Sequence, residues 1–299
     1  MLHHTAPLWF DHLNAKYFKL DAQSFPCGVY LVATPIGNVF DITLRALHVL
    51  EHVDFVAAED TRRTRILLQF YGLTSAIFPY HDHNWEKALP RLIAKVCMGK
   101  RIAVVSDAGT PLISDPGFRL VEQCIAKNIP LFSLPGPSSL TTALTLAGLA
   151  PQPFHFFGFL PTQSTKKQTI LQSLRSYPGT LVFFESPQRL KGTLQDALAI
   201  LGARPAVIVR ELTKKFEEIQ RDSLENLIQC YEKSPPKGEI VLLIAGMKDN
   251  RETPVDPYPV LKKHLMHLSL KEAVRLTQQE TGCARSLIYK MAIALKDMS

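Results

Sequence analysis

Residues 29–38 read Val29-Tyr30-Leu31-Val32-Ala33-Thr34-Pro35-Ile36-Gly37-Asn38, five apolar side chains running straight into a Pro-x-Gly-Asn turn. A short apolar run closed by turn residues reads as a buried strand. The turn then falls at the strand's carboxyl end, where open α/β sheets hold ligands. Pro-x-Gly-Asn is also plain turn chemistry, so the fold is decided by what surrounds it.

Outward from this strand, similar runs recur at 53–58, 102–106, 181–184, 206–209 and 240–244. Between them lie helical patterns, one with Leu44, Leu47 and Leu50 on a face and another with Leu190, Leu194, Leu198 and Leu201. The alternation predicts α/β architecture with largely parallel sheets. Residues 133–136 close one series and a second begins near Phe154, so two α/β domains, 26–135 and 136–246, are expected with a ligand cleft between them. An N-terminal extension, 1–25, precedes them. A Pro-containing linker, 247–258, follows, and then a small helical unit, 259–299. In that unit Ser269 and Glu272 form a capping box, and Thr281-Gly282 turns into a second helix, a helix-turn-helix-like pattern. Its Lys271, Arg275, Arg285 and Lys290 suit either a nucleic-acid grip or an ordinary solvated face.

The chain has 299 residues, 46% of them hydrophobic, and carries a formal net charge of +7. That length and apolar content bury a sizeable core and exclude a disordered or fibrous chain. The positive charge suits a phosphate-rich partner. Five cysteines in neither CxxC pairs nor an even set argue against a disulfide framework or structural zinc, and reduced thiols imply the cytoplasm. With no apolar run long enough to span a bilayer and no signal-like start, the expectation is a protein neither secreted nor membrane-bound.

Three loops stand out as ligand-holding candidates besides residues 34–38. The first, Ser106-Asp107-Ala108-Gly109-Thr110-Pro111-Leu112-Ile113-Ser114-Asp115-Pro116-Gly117, combines small residues that let backbone approach a ligand with carboxylates that can hold ribose or amino groups. The second, Leu134-Pro135-Gly136-Pro137-Ser138-Ser139, puts two hydroxyls at a helix start, where they serve a ligand or simply cap the helix. The third, Glu59-Asp60-Thr61-Arg62-Arg63-Thr64-Arg65, follows a strand directly and is either a capped helix start or a place to hold an RNA backbone while a carboxylate faces a hydroxyl. Glu185 and Glu211 end later strands, each with an arginine nearby that could pair with it. His81 and His83 form an isolated HxH without further ligands near in sequence, so no metal is expected. Walker, GxGxxG, GxSxG and HExxH patterns are all missing, which removes the usual support for phosphoryl, hydride and acyl transfer and for zinc proteolysis.

Together the stretches VATPIGN, AAEDTRRTR, YHDHN, VVSDAGTPLISDPG, LPGPSSLTTAL, GFLP, FFESPQR, RELTK and KGEIVLLI closely resemble the ribosomal RNA small subunit methyltransferase I family of the tetrapyrrole methylase superfamily. The resemblance implies a homodimer that uses S-adenosylmethionine to methylate the ribose 2′-hydroxyl of cytidine 1402 in 16S ribosomal RNA. It implies a donor site at Pro35, Asp107, Ala108, Gly109, Thr110, Ile113, Ser138, Ser139, Phe184 and Leu212. Asp60, Glu185 and Glu211 become candidates for the base or for orienting the ribose, and Arg62, Arg65 and Lys214 for phosphate. Arg63 and Gln188 stand where relatives commonly carry histidine. Two other readings stay open, a methyltransferase of the same fold with a small acceptor and an inactive RNA-binding assembly protein.

Overall fold

The computed structural model describes residues 25–233, 236–247 and 256–297. The expected N-terminal extension, except Phe25, and residues 248–255 of the expected linker lie outside the described residues. The chain divides into two compact units, 1–247 and 248–299, and the first holds both sheets.

The first sheet consists of β1 (Gly28–Val32), β2 (Phe55–Ala58), β3 (Ile77–Pro79), β4 (Arg101–Val105) and β5 (Leu131–Leu134), in the order β3-β2-β4-β1-β5. Every pairing in it is parallel. Side chains alternate across the pleat, so each strand feeds two cores. Tyr30, Val32, Val56, Ala103 and Val105 pack with Ala46, Val49, Leu50 and Leu68 from helices Leu44–His52 and Thr61–Phe70. On the opposite face Val29, Ala57, Ile102 and Val104 pack with Leu89, Leu92, Val96 and Leu120 from helices Trp85–Cys97 and Phe118–Ala126. β1 and β4 are neighbours whose following connections leave in opposite directions, toward β2 and β5. Their carboxyl ends therefore open a crevice at a topological switch point.

The second sheet is β6 (Phe154–Phe159), β7 (Thr180–Glu185), β8 (Pro205–Arg210), β9 (Glu218–Ser223) and β10 (Ile240–Ile244), ordered β6-β7-β10-β8-β9. Here the expectation of largely parallel pairing fails: only β6 and β7 run parallel, while β10 is antiparallel to β7 and β8, and β8 to β9. The link 211–217 is too short for the crossover that a parallel pair requires. One face packs on helices Ser164–Ser173, Pro187–Leu201 and Leu224–Lys233 through Leu171, Phe183, Leu190, Leu194 and Leu227. The other face packs Val182, Val207, Val209, Val241 and Leu243 against Ala143, Leu144 and Ala147 of helix Ser139–Ala147, and the same cluster takes in Ile36 and Leu212. That cluster joins the two sheets into one body around the crevice.

In the second unit, helices Pro257–Leu265, Leu270–Thr281 and Arg285–Asp297 enclose Leu261, Ala273, Val274, Ile288 and Ala292. The capping box forms: Ser269 Oγ accepts from the Glu272 amide at 3.4 Å and donates to its carboxylate at 2.7 Å. Gly282, at φ +67°, closes the second of these helices. Among the described residues no helix is long and apolar enough to cross a membrane.

Candidate active site

The crevice is built by backbone. Thr34 and Gly109 exchange amide hydrogen bonds at 2.9 Å each, so the loops after β1 and β4 hold each other. Gly37 admits the second sheet: a Cβ there would lie 2.5 Å from Lys214 Cγ and 2.7 Å from the Leu212 carbonyl oxygen. The Asn38 amide then donates to Thr213 Oγ1 at 2.9 Å, which fastens the loop 211–217 to the end of β1.

Between these loops lies a cavity of about 400 Å³. Asp107, Ala108, Gly109, Thr110, Ile113, Ser138, Ser139, Phe184 and Leu212 all line it, with Ile36, Val209 and Val241 completing apolar walls. Ser138 stands at the N-cap of helix Ser139–Ala147 but its hydroxyl makes no capping bond, so the simple capping reading does not hold for it. Four residues other than glycine adopt positive φ in the two loops that wall the cavity: Leu112 (73°), Ser114 (66°), Glu211 (51°) and Thr213 (62°). Backbone held in that sparsely populated region marks positions fixed by their surroundings, and it concentrates at functional sites.

A second cavity of about 290 Å³ adjoins the first. Ile36, Arg63, Asp107, Ala108 and Glu239 belong to both walls. Pro35 faces this smaller space rather than the larger one, together with Thr64, Ile66, Phe70 and Lys214. The first cavity is closed mainly by apolar side chains and main chain, with Asp115 and Glu185 among its polar residues, whereas the second adds Lys214 to the shared Arg63, Asp107 and Glu239.

Residues 28–228 match the family model of the tetrapyrrole (corrin/porphyrin) methylases. A ribosomal RNA small subunit methyltransferase I from Mesorhizobium japonicum is 42% identical over 283 residues, which is 94% of this chain and 96% of that relative. Its namesake from Escherichia coli O157:H7 is 43% identical over 89% of this chain and 94% of its own length. The chain belongs to the ribosomal RNA small subunit methyltransferase I family of tetrapyrrole methylases. A uroporphyrin-III C-methyltransferase from Thermus thermophilus, solved with S-adenyl homocysteine, shares the fold at a TM-score of 0.54 and 20% identity, covering 73% of this chain and 97% of that one.

Within this methylase framework the three acids picked from sequence fare differently. Glu185 reaches the wall of the larger cavity, with its side chain fully buried. Both its oxygens are occupied: Ser186 N donates at 2.8 Å, Thr193 Oγ1 at 2.6 Å, and Arg189 Nε lies at 3.4 Å. Asp60 lines neither cavity. It caps helix Thr61–Phe70 through the Arg62 amide at 2.8 Å and takes the Arg62 guanidinium at 2.8 and 3.1 Å, which holds its carboxyl far below the ordinary range. Glu211 also lies outside both walls, and Lys214 at 2.9 Å lowers its pKa. It accepts the Glu239 amide at 3.0 Å and wraps so closely round Gly238 that a Cβ there would meet it at 2.2 Å. Asp60 and Glu211 thus each hold a neighbouring cation, Arg62 and Lys214, and neither side chain lines a cavity wall.

Of the three cations, Lys214 lines the smaller cavity and bonds Glu211 and Glu239, the latter at 3.1 Å. Arg62 and Arg65 lie exposed on helix Thr61–Phe70 and line neither space. Sequence reasoning named Arg63 and Asp115 as members of the loops 59–65 and 106–117, and gave Glu239 no role. Arg63 sits at 3.3 Å from Asp107 on the shared wall. Asp115 lines the larger cavity, where burial, opposed by a hydrogen bond from Ser106 and aided by Glu59 and Asp107, pushes its pKa up to about 6. Burial likewise raises Glu59, with Asp107 adding to it. Position in the Ser-Asp repeat hinted at Asp115, but its depth is a tertiary property. Among the described residues no three His, Cys, Asp or Glu side chains gather as metal ligands.

Proposed function

We propose that this chain transfers a methyl group from S-adenosylmethionine to the ribose 2′-hydroxyl of cytidine 1402 in 16S ribosomal RNA, on the small ribosomal subunit in the cytoplasm, acting as a homodimer. The observation that carries this reading is the pair of adjoining cavities, one suited to a compact donor and the other bringing Arg63 and Lys214 together with Asp107 and Glu239 beside it. The names of the relatives point to the same substrate class.

The residues fit the donor. A cavity of about 400 Å³ falls within the range of small-molecule sites. Phe184, Leu212, Val209 and Val241 offer apolar walls, while the main chain of 107–110 and the hydroxyls of Ser138 and Ser139 offer polar contacts. When bound, S-adenosylmethionine supplies a methyl carbon activated by its sulfonium. The chain's task is alignment: an in-line displacement needs the acceptor oxygen held on the far side of that carbon, and such positioning supplies much of the rate. The shared wall of Ile36, Arg63, Asp107, Ala108 and Glu239 is where the two compartments meet, so Asp107 and Glu239, each paired with a cation, join Asp60, Glu185 and Glu211 as candidates to orient the hydroxyl or receive its proton. Arg63, held on Asp107, adds a positive charge where a ribose phosphate would arrive.

The test is transfer of labelled methyl to small subunits purified from a strain lacking this enzyme, with the modified nucleotide mapped. Label on the 2′-oxygen of cytidine 1402 is expected. Donor binding with label only on a tetrapyrrole would assign a small acceptor, and no donor binding would make the chain an inactive RNA-binding protein.

A further inference from the structure

Beside the smaller cavity the surface carries unusual apolar exposure. Phe40 is 81% exposed, Ile66 68% and Phe70 54%. The rings of Phe40 and Phe70 stand 6.3 Å apart at 77°, and Phe70 meets Tyr71 edge-on at 5.0 Å. These rings are held in place rather than left to wander. Tyr71 donates its hydroxyl hydrogen bond to the Val39 carbonyl, and Asn38 Oδ1 accepts from the Phe40 amide at 3.0 Å, so the turn Val39–Asp41 is pinned against the end of helix Thr61–Phe70.

We propose that Phe40 and Phe70 form a stacking ledge for a nucleobase of single-stranded RNA at the mouth of the smaller cavity, which itself receives the acceptor nucleotide. This rests on the reading that RNA is the acceptor. Phe70 belongs both to the cavity wall and to the ledge, so a base on the ledge is adjacent to whatever enters the cavity. Charge selects the occupant. Arg63 lines the same cavity as Phe70, and Arg62 and Arg65 stand exposed on the same helix; aromatic faces near arginines match a nucleic-acid strand. A ribose inside a stacked helix cannot reach a recessed donor, and an aromatic ledge offsets the cost of drawing a nucleotide out of its stack.

The test compares wild type with Phe40→Ala, Phe70→Ala and Phe70→Trp in methyl transfer to small subunits over a range of subunit concentrations, alongside donor titration and sedimentation of each protein. Both rings are largely exposed, so the alanine variants are expected to fold. Losing one stacked base should raise KM for subunits roughly 10- to 100-fold for Phe70→Ala and by a smaller factor for Phe40→Ala. Donor affinity should stay constant, and Phe70→Trp should remain near wild type. Alanine variants that transfer methyl as wild type does at every subunit concentration would overturn the ledge alone. Loss of self-association with KM unchanged would overturn it in favour of a contact between two copies of the chain. A wild type that methylates no RNA would overturn the functional reading as well.

Discussion

The two adjoining cavities share five wall residues yet differ in what closes them. The larger adds Phe184, Leu212, Val209 and Val241 with the carboxylates Asp115 and Glu185 to the shared residues, while the smaller adds Lys214, Ile66 and Phe70. The larger suits a compact molecule recognised mainly by shape and backbone, and for that reason it leaves no charged fingerprint in the sequence. The smaller, with Arg63, Lys214, Asp107 and Glu239 on its rim, is the one we propose to meet the ribose phosphates of RNA.

The comparison can be broken by variants that act on one cavity only. The largest effect is expected at Glu185, on whose buried carboxylate Ser186, Thr193 and Arg189 converge at the wall of the larger cavity. Glu185→Leu leaves those donors without an acceptor and should cost about 3 kcal/mol in urea unfolding. Glu185→Gln should recover part of it, and a leucine variant as stable as wild type would remove Glu185 from the framework. Next, Phe184→Ala should weaken donor binding about tenfold by calorimetry through lost apolar contact, with KM for subunits unchanged. If instead RNA affinity falls and donor affinity holds, the two compartments are assigned the wrong way round.

A smaller change is expected from Arg62→Ala, which removes an exposed cation beside the second cavity. KM for subunits should rise about threefold at low salt and converge with wild type as salt increases, because counterion release carries the interaction. An effect independent of salt would mean a structural role through Asp60. The smallest effect is a slope. Burial raises Asp115 from 3.8 to about 6, so the folded state binds its proton more tightly than the unfolded state does. The resulting stability is fully present below the unfolded value and is lost as pH rises through about 6. Asp115→Asn should flatten that fall in urea midpoints between pH 4 and 7, and an unchanged slope would place the titration elsewhere.

Much of the fold was legible because burial on both faces of a sheet writes continuous apolar runs. The run 240–244 coincides with β10, and helix Pro187–Leu201 carries the four leucines whose spacing predicts it. β9, Glu218-Ile219-Gln220-Arg221-Asp222-Ser223, was invisible because an edge strand half open to water carries a polar sequence. The antiparallel insertion of β10 was equally hidden, since strand direction follows from connection lengths and packing rather than from the strand's own residues. The loops around the larger cavity could be found from their small residues and turn chemistry. Asp115 and the Phe40–Phe70 ledge could not, because a raised pKa and an exposed ring pair exist only once distant segments meet. Asp60 stands between these cases: its place after a strand was legible, whereas its cap on the helix and its hold on Arg62 are seen only in the structure.

The division of labour between the cavities is tested most directly by ultraviolet cross-linking of labelled S-adenosylmethionine to the protein, with the adducts located by peptide mass spectrometry. Adducts within 106–113, at 138–139 or at Phe184 are predicted. Adducts confined to 63–70 or to the helices of 257–297 would contradict the assignment of the larger cavity to the methyl donor.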